Sequence, residues 1–246
     1  MTDVPKSHPR YVSLVLRDRI VAGVEAGITS PHGLIAHGRG EAYDYLVGER
    51  TRPFARRAVR AAAAMLLRAE HPVLSVNGNA AALVPDELVA LGKALDAPLE
   101  VNIFHASKAR ERAMRQHLLD HGASEVLMPT KRAQLDFIDS NRRFVHPEGI
   151  HRADVVFVPL EDGDRCEALR KMGRDVITVD LNPLSRTARA ASITIVDNLV
   201  RAMPLLIEQV GELGGARPTR LRHILARYDN RKVLAAAARC IRGGGR

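Results

Sequence analysis

Three apolar runs in the second half of the chain each end in a short polar segment of the kind that holds a phosphorylated ligand. Residues 153–160 read as a buried strand that empties into Glu161, Asp162, Gly163 and Asp164. Residues 176–180 read as a second, emptying into Leu181, Asn182, Pro183, Leu184, Ser185, Arg186 and Thr187. Residues 192–196 read as a third, ending in Asp197 and Asn198 before a long amphipathic pattern. Open α/β sheets bind ligands outside the carboxyl ends of their strands, so these three ends mark the expected site. Asp180 stands where a carboxylate meets a ribose hydroxyl, or else caps the Asn182-Pro183 turn as an Asx turn does. Asp197 reads as a helix N-cap, which places Asn198 in the first turn, where amides and the dipole favour an anion.

Gly38, Arg39 and Gly40 form a second constellation. The glycines could let backbone approach a ligand while Arg39 offers a planar fork matched to phosphate oxygens, or the segment is a helix bend with an exposed arginine. No Gly-Lys-Ser or Gly-Lys-Thr follows a glycine-rich turn and no Gly-x-Gly-x-x-Gly follows a strand, so neither a P-loop nor a dinucleotide fingerprint is present. Glu161, Asp162 and Asp164 have the oxygen chemistry magnesium prefers, although Asp164 with Glu167 also has the spacing of a capping box. His117 and His121 share a helical face but lack the intervening Glu of a metalloprotease helix, and they read as solvent-facing. No protein metal site and no catalytic triad is expected.

The elements that must position these residues alternate in a regular way. Helical patterns cover Tyr11 to about Ala26, a segment including Glu41–Leu46, and Pro53 to about Glu70. From Pro72 strand and helix alternate: strands at 72–76, 98–104 and 125–127, helices from Pro85 to Leu95 and from a Ser107 cap to about His121, then the three strands above. Asn77, Gly78 and Asn79 read as a turn with positive φ at the glycine. Residues 129–150 read as an irregular functional loop. The expectation is one α/β domain with a mainly parallel sheet and helices on both faces: a helical N-terminal segment over 1–70, the core over 71–212, and a helical C-terminal segment over 213–246.

Composition narrows the partners. The chain has 246 residues and a formal net charge of +9, which favours anionic ligands. Aromatics make up 4% and Trp is absent, so base-stacking surfaces and nucleic-acid binding are disfavoured. Cys166 and Cys240 stand alone, which argues against a disulfide framework and fits a reducing cytoplasm. No run has the length of a membrane span, and the start of the chain has no signal-peptide core.

Residues 5–11, 33–42, 75–79, 158–165 and 179–186 closely resemble the archaeal-type phosphopantothenate synthetases, or 4-phosphopantoate:beta-alanine ligases, and residues 193–198 and 227–230 extend the likeness nearly end to end. The resemblance implies a homodimeric, Rossmann-like ligase that condenses 4-phosphopantoate with beta-alanine at the expense of ATP, with Mg2+, in coenzyme A biosynthesis. It implies a nucleotide site at Arg17, Arg39, Asp180, Leu181, Asn182, Arg186, Thr187, Asn198 and Leu199. Arg39, Asn77 and Asn79 are the candidate catalytic residues. Asn77, Gly78 and Asn79, with Lys6, Ser7, His8 and Arg10, are the candidate site for phosphopantoate, with Lys131 and Arg132 as alternatives. A non-catalytic nucleotide- or RNA-binding protein is the rival reading, expected to weaken steeply with salt. A dehydrogenase is disfavoured by the missing fingerprint.

Overall fold

A computed structural model describes residues 4–103 and 107–244. Three helices come first: α1 (Tyr11–Glu25), α2 (Pro31–Val47) and α3 (Pro53–Leu66). Pro31 and Pro53 stand at the first helical positions, where the missing N–H costs nothing. The core follows as β1 (Pro72–Val76), α4 (Gly78–Leu83), α5 (Pro85–Leu95), β2 (Leu99–Val101), α6 (Lys108–Asp120) and β3 (Val126–Leu127). A hairpin, β4 (Thr130–Gln134) and β5 (Phe144–Val145), encloses a 3-10 turn at Asn141–Arg143. Then come β6 (Val155–Phe157), α7 (Gly163–Lys171), β7 (Asp175–Val179), α8 (Arg186–Ala190), β8 (Ile193–Ile195), α9 (Leu199–Leu213), α10 (Pro218–Ala226) and α11 (Asn230–Arg242).

Six strands make one parallel sheet in the order β3-β2-β1-β6-β7-β8. Leaving out the antiparallel β4–β5 pair, this is the 3-2-1-4-5-6 order of a Rossmann-type sheet, whose switch point falls between β1 and β6. Alternate residues serve the two faces. Leu74, Phe157 and Ile177 join the large core under α3, α5 and α9, while Val73, Val156 and Val176 join a smaller one with Cys166 and Leu169 of α7 and Leu135 of the hairpin region. Burial on both faces explains why the strands read as continuous apolar runs.

Several local expectations need correction. Of the two readings of Gly38, Arg39 and Gly40 the helical one holds: they lie inside α2, one helix from Pro31 on, with Arg39 exposed. Gly78 has no positive φ; it opens α4 behind an Asn77 N-cap. A Cβ on Gly78 would stand 2.7 Å from the Ile28 carbonyl oxygen, so close backbone packing is what requires glycine there. The strand expected over 98–104 spans Leu99–Val101, and Phe104 lies outside the described residues. Residues 129–150 carry the hairpin and are not structureless. His117 and His121 do not simply face water, since the first meets the Ala81 carbonyl at 3.1 Å and the second Asp86 at 2.7 Å, which docks α6 on α4 and α5.

Candidate active site

The strand ends and α2 enclose a cleft of ≈ 590 Å³, within the range of small-molecule sites. A second depression, of ≈ 520 Å³ between α3, α10 and α11, contains none of the strand-end residues.

At the β1 end both asparagine side chains are committed to positioning. Asn77 accepts from the Ala80 amide and donates to the Pro159 carbonyl at 2.7 Å, tying β1 to β6 across the switch point. Asn79 accepts from the Thr29 hydroxyl at 2.6 Å and donates to the Gly33 carbonyl at 2.9 Å, so it fastens the start of α2 over the strand end. A Cβ on Gly33 would lie 2.3 Å from Asn79 Oδ1, which makes Gly33 the α2 glycine with a close approach.

At the β6 end Leu160 has φ 55°, a left-handed conformation that costs a branched residue about 1–2 kcal/mol. The next residue, Glu161, is buried and bonded by two guanidiniums, Arg142 and Arg165, the latter at 2.5 Å. Burial alone would raise its carboxyl; Arg165 and Arg142 outweigh that and hold it below the usual carboxylate range. Arg142 also meets Asp162 at 2.5 Å and Asn102 at 3.1 Å, and it lines the cleft. Asp162 remains half exposed, its carboxyl raised by burial against the pull of Arg142 and Arg39. Asp164 with Glu167 is not a capping box: Asp162 is the N-cap of α7, and Glu167 pairs with Arg186 at 2.8 Å.

The β7 end shows Asp180 capping its turn. It accepts from the Asn182 amide at 2.9 Å and from the Ser185 hydroxyl, and burial raises its carboxyl. Ser185 caps α8, and Thr187 donates to the Glu161 carbonyl at 2.8 Å, locking the β6 and β7 ends together. At the β8 end the N-cap of α9 is Asn198, not Asp197. Asp197 is buried and holds Thr51 and Arg201, while Asn198 donates to Asp44 of α2 at 2.7 Å.

Leu181, Asn182, Arg186, Thr187, Asn198, Leu199, Asp180, Arg39, Asn77 and Asn79 therefore share one cleft. Arg39 makes no hydrogen bond or ion pair among the described residues, and its charge is felt by both Asp162 and Asp180. Arg17, on α1, pairs with Glu41 at 2.7 Å and does not line the cleft. The Arg186–Glu167 pair is exposed at the rim of the cleft, where water screens it, so it holds the guanidinium only weakly. Lys6, Ser7, His8 and Arg10 precede or open onto α1 outside the cleft, and Lys131 and Arg132 are exposed on β4. The cations that do line its β1 and β6 side are Arg110 of α6 and Arg142, which the sequence reading passed over.

Residues 54–244 match the family model described as phosphopantothenate/pantothenate synthetase. The chain belongs to this family. A Thermococcus kodakarensis relative named 4-phosphopantoate--beta-alanine ligase is 53% identical over 238 residues, 96% of this chain and 90% of its own. Relatives of the same name from Methanosarcina mazei and Thermococcus onnurineus are 51% and 53% identical over 237 residues each, covering 96% and 95% of this chain and 93% and 90% of their own. The family match spans β1 to α11, which carries every strand end of the cleft, and the relatives' likeness takes in α2 as well. Among the described residues no helix is long and apolar enough to cross a membrane, and no three His, Cys, Asp or Glu side chains group as a metal site.

Proposed function

We propose that this chain is an ATP-dependent ligase that joins 4-phosphopantoate to beta-alanine, giving 4'-phosphopantothenate in the cytoplasmic route to coenzyme A. What carries the reading is the relatives' shared name over nearly the whole chain, together with a cleft at the sheet's switch point whose lining includes Arg39, Arg110, Arg142 and Arg186. The rival of a non-catalytic nucleotide- or RNA-binding protein is not supported by the relatives' names. ATP lies over the β7 and β8 ends, with Asp180 and Asn182 near the ribose side and Arg39 and Arg186 at the phosphates. Phosphopantoate lies toward β1 and β6, where Arg110 and Arg142 bring positive charge, and Asn77 and Asn79 hold the walls. Glu161 is enclosed by two arginines and cannot serve magnesium; Mg2+ arrives bound to ATP, with Asp162 the carboxylate able to reach it.

A carboxylate does not acylate an amine unaided. With no P-loop to steer a γ-phosphate, the phosphopantoate carboxylate attacks the α-phosphorus, giving an acyl adenylate and pyrophosphate, and beta-alanine then displaces AMP. Assays omitting each substrate in turn should show 4'-phosphopantothenate by mass spectrometry only when all three are present. Phosphopantoate without beta-alanine should drive exchange of labelled pyrophosphate into ATP. Formation of ADP and phosphate would sink the adenylate route and leave the ligase standing; absence of product with all three substrates would sink the ligase.

We also propose a homodimer. It is supported by apolar side chains turned outward on α1 and α2, with Val12 62%, Ile35 72% and Tyr45 73% exposed. Sedimentation velocity at micromolar concentration tests this, and a monomer peak alone would remove it.

A further inference from the structure

Beta-alanine reaches the enzyme as an ammonium, which has no lone pair, so something in the cleft must take a proton before the C–N bond can form. We propose that His37 is that general base. The proposal rests on the ligase reading and adds a catalytic residue to it.

The placement follows from how α2 crosses the strand ends. Gly33 receives the Asn79 amide at the β1 end, Gly40 packs over Leu181 at the β7 end, and Asp44 receives Asn198 at the β8 end. His37 shares the face of Gly33 and Glu41, about 6 Å along the axis from Gly33 and about 10 Å from Asp44 at 1.5 Å per residue. The strand between β1 and β7 in the sheet is β6, so His37 stands over the β6 end, between the two halves of the cleft. That is where the activated carboxyl of a substrate spanning both halves must lie.

The carboxylates of the cleft are spoken for. Glu41 accepts from Ser13 and from both Arg17 nitrogens; Glu161 is enclosed by Arg142 and Arg165; Asp162 meets Arg142; Asp180 accepts from Ser185 and Asn182. The His37 ring makes no hydrogen bond among the described residues. Burial lowers its pKa; Glu41 opposes this and Arg17 adds to it, while Arg39, Asp162 and Arg142 line the same cleft. The imidazole is thus neutral at pH 7, with a free lone pair. Glu41, one turn further along α2, is a negative neighbour for the imidazolium once it forms.

The proton passes from the ammonium nitrogen to a ring nitrogen of His37, and the freed lone pair attacks the activated carbonyl carbon. The C–N bond forms and the bond from the carbonyl carbon to the bridging phosphoryl oxygen breaks, its electron pair leaving with AMP. The second nitrogen proton goes to water as the adduct collapses.

Hydroxylamine, unprotonated at neutral pH, traps either an acyl adenylate or an acyl phosphate as a hydroxamate and needs no base. At pH 7, His37→Gln should lose beta-alanine turnover by about 100-fold or more while hydroxamate formation stays within about twofold of wild type. His37→Asn should behave alike. The wild-type profile with saturating beta-alanine should fall as pH drops through the His37 pKa, below the ordinary imidazole value of about 6.5, and the variants should lack that limb. Equal loss on both acceptors, or full beta-alanine turnover in either variant, would overturn the role of His37. A wild-type enzyme that forms neither amide nor hydroxamate would overturn the ligase reading instead.

Discussion

Glu161→Ala should destabilise the chain by about 3–5 kcal/mol, the cost of stripping the counter-charge from a buried ion pair. The side chain lies between Arg142, 4% exposed, and Arg165, fully buried. With the carboxylate gone, two guanidiniums face each other in the interior, and Arg165 already carries a buried Nε and Nη2 without a partner in the described structure. Arg165 keeps a 3.3 Å contact to Ser75 through Nη1, and Arg142 keeps its bonds to the half-exposed Asp162 and to Asn102. For a chain of this length the loss corresponds to a fall of roughly 6–20 °C in melting temperature. The difference also depends on pH in a defined sense. Because the folded-state pKa of Glu161 is depressed, its contribution is complete above the unfolded-state value of about 4.3 and is lost as acid protonates it in the folded protein, so the two melting curves converge at low pH. Thermal melts from pH 7 to pH 3 make the comparison, and a pH 7 shift of under about 2 °C would show that the network carries little of the stability.

That network also marks where sequence reading stops. The strands of the parallel sheet were legible because each is a short apolar run buried on both faces; β1 from Pro72 to Val76 and the ends at Glu161, Asp180 and Asp197 follow directly from it. Helices opened by proline, α5 at Pro85 and α3 at Pro53, announced themselves in the same way. The start of α2 did not, because three glycines and two histidines weaken its pattern, although Pro31 behind Ser30 is the same signal. The Glu161–Arg165 half of the network has readable i, i+4 spacing. Arg142 comes from a 3-10 turn inside a hairpin whose register no periodicity encodes, and nothing local told it apart from Arg132 or Arg143. Asp197 and Asn198 are adjacent, and both are capping residues; only the buried ion pair to Arg201 decides which turns inward. His37 carries no sequence signal at all, since its position over β6 depends on contacts of Gly33 and Asp44 with strand ends 46 and 154 residues away.

Arg39→Lys should lower kcat/KM for ATP by about 100-fold, or about 2.7 kcal/mol of transition-state stabilisation, without disturbing the fold. Arg39 is exposed on α2 and makes no hydrogen bond or ion pair among the described residues, so its loss leaves no buried group unpaired, and stability should stay within about 0.5 kcal/mol. Its charge bears on Asp162 and Asp180, the carboxylates at the β6 and β7 ends, which puts the guanidinium over the junction where the phosphates of a nucleotide on β7 meet the second substrate. A planar fork can hold two phosphate oxygens at once as charge shifts onto the departing pyrophosphate; lysine offers a single point charge on a more mobile stem. Arg39→Met, which removes the charge as well, should be only modestly worse than Arg39→Lys if geometry is the larger part of the effect. Steady-state kinetics with ATP varied, alongside thermal melts of both variants, measure this directly. Turnover of Arg39→Lys within about threefold of wild type would reduce Arg39 to a general source of positive potential, and the phosphate contact would then fall to Arg186, which lines the same cleft and is held only by the exposed Glu167.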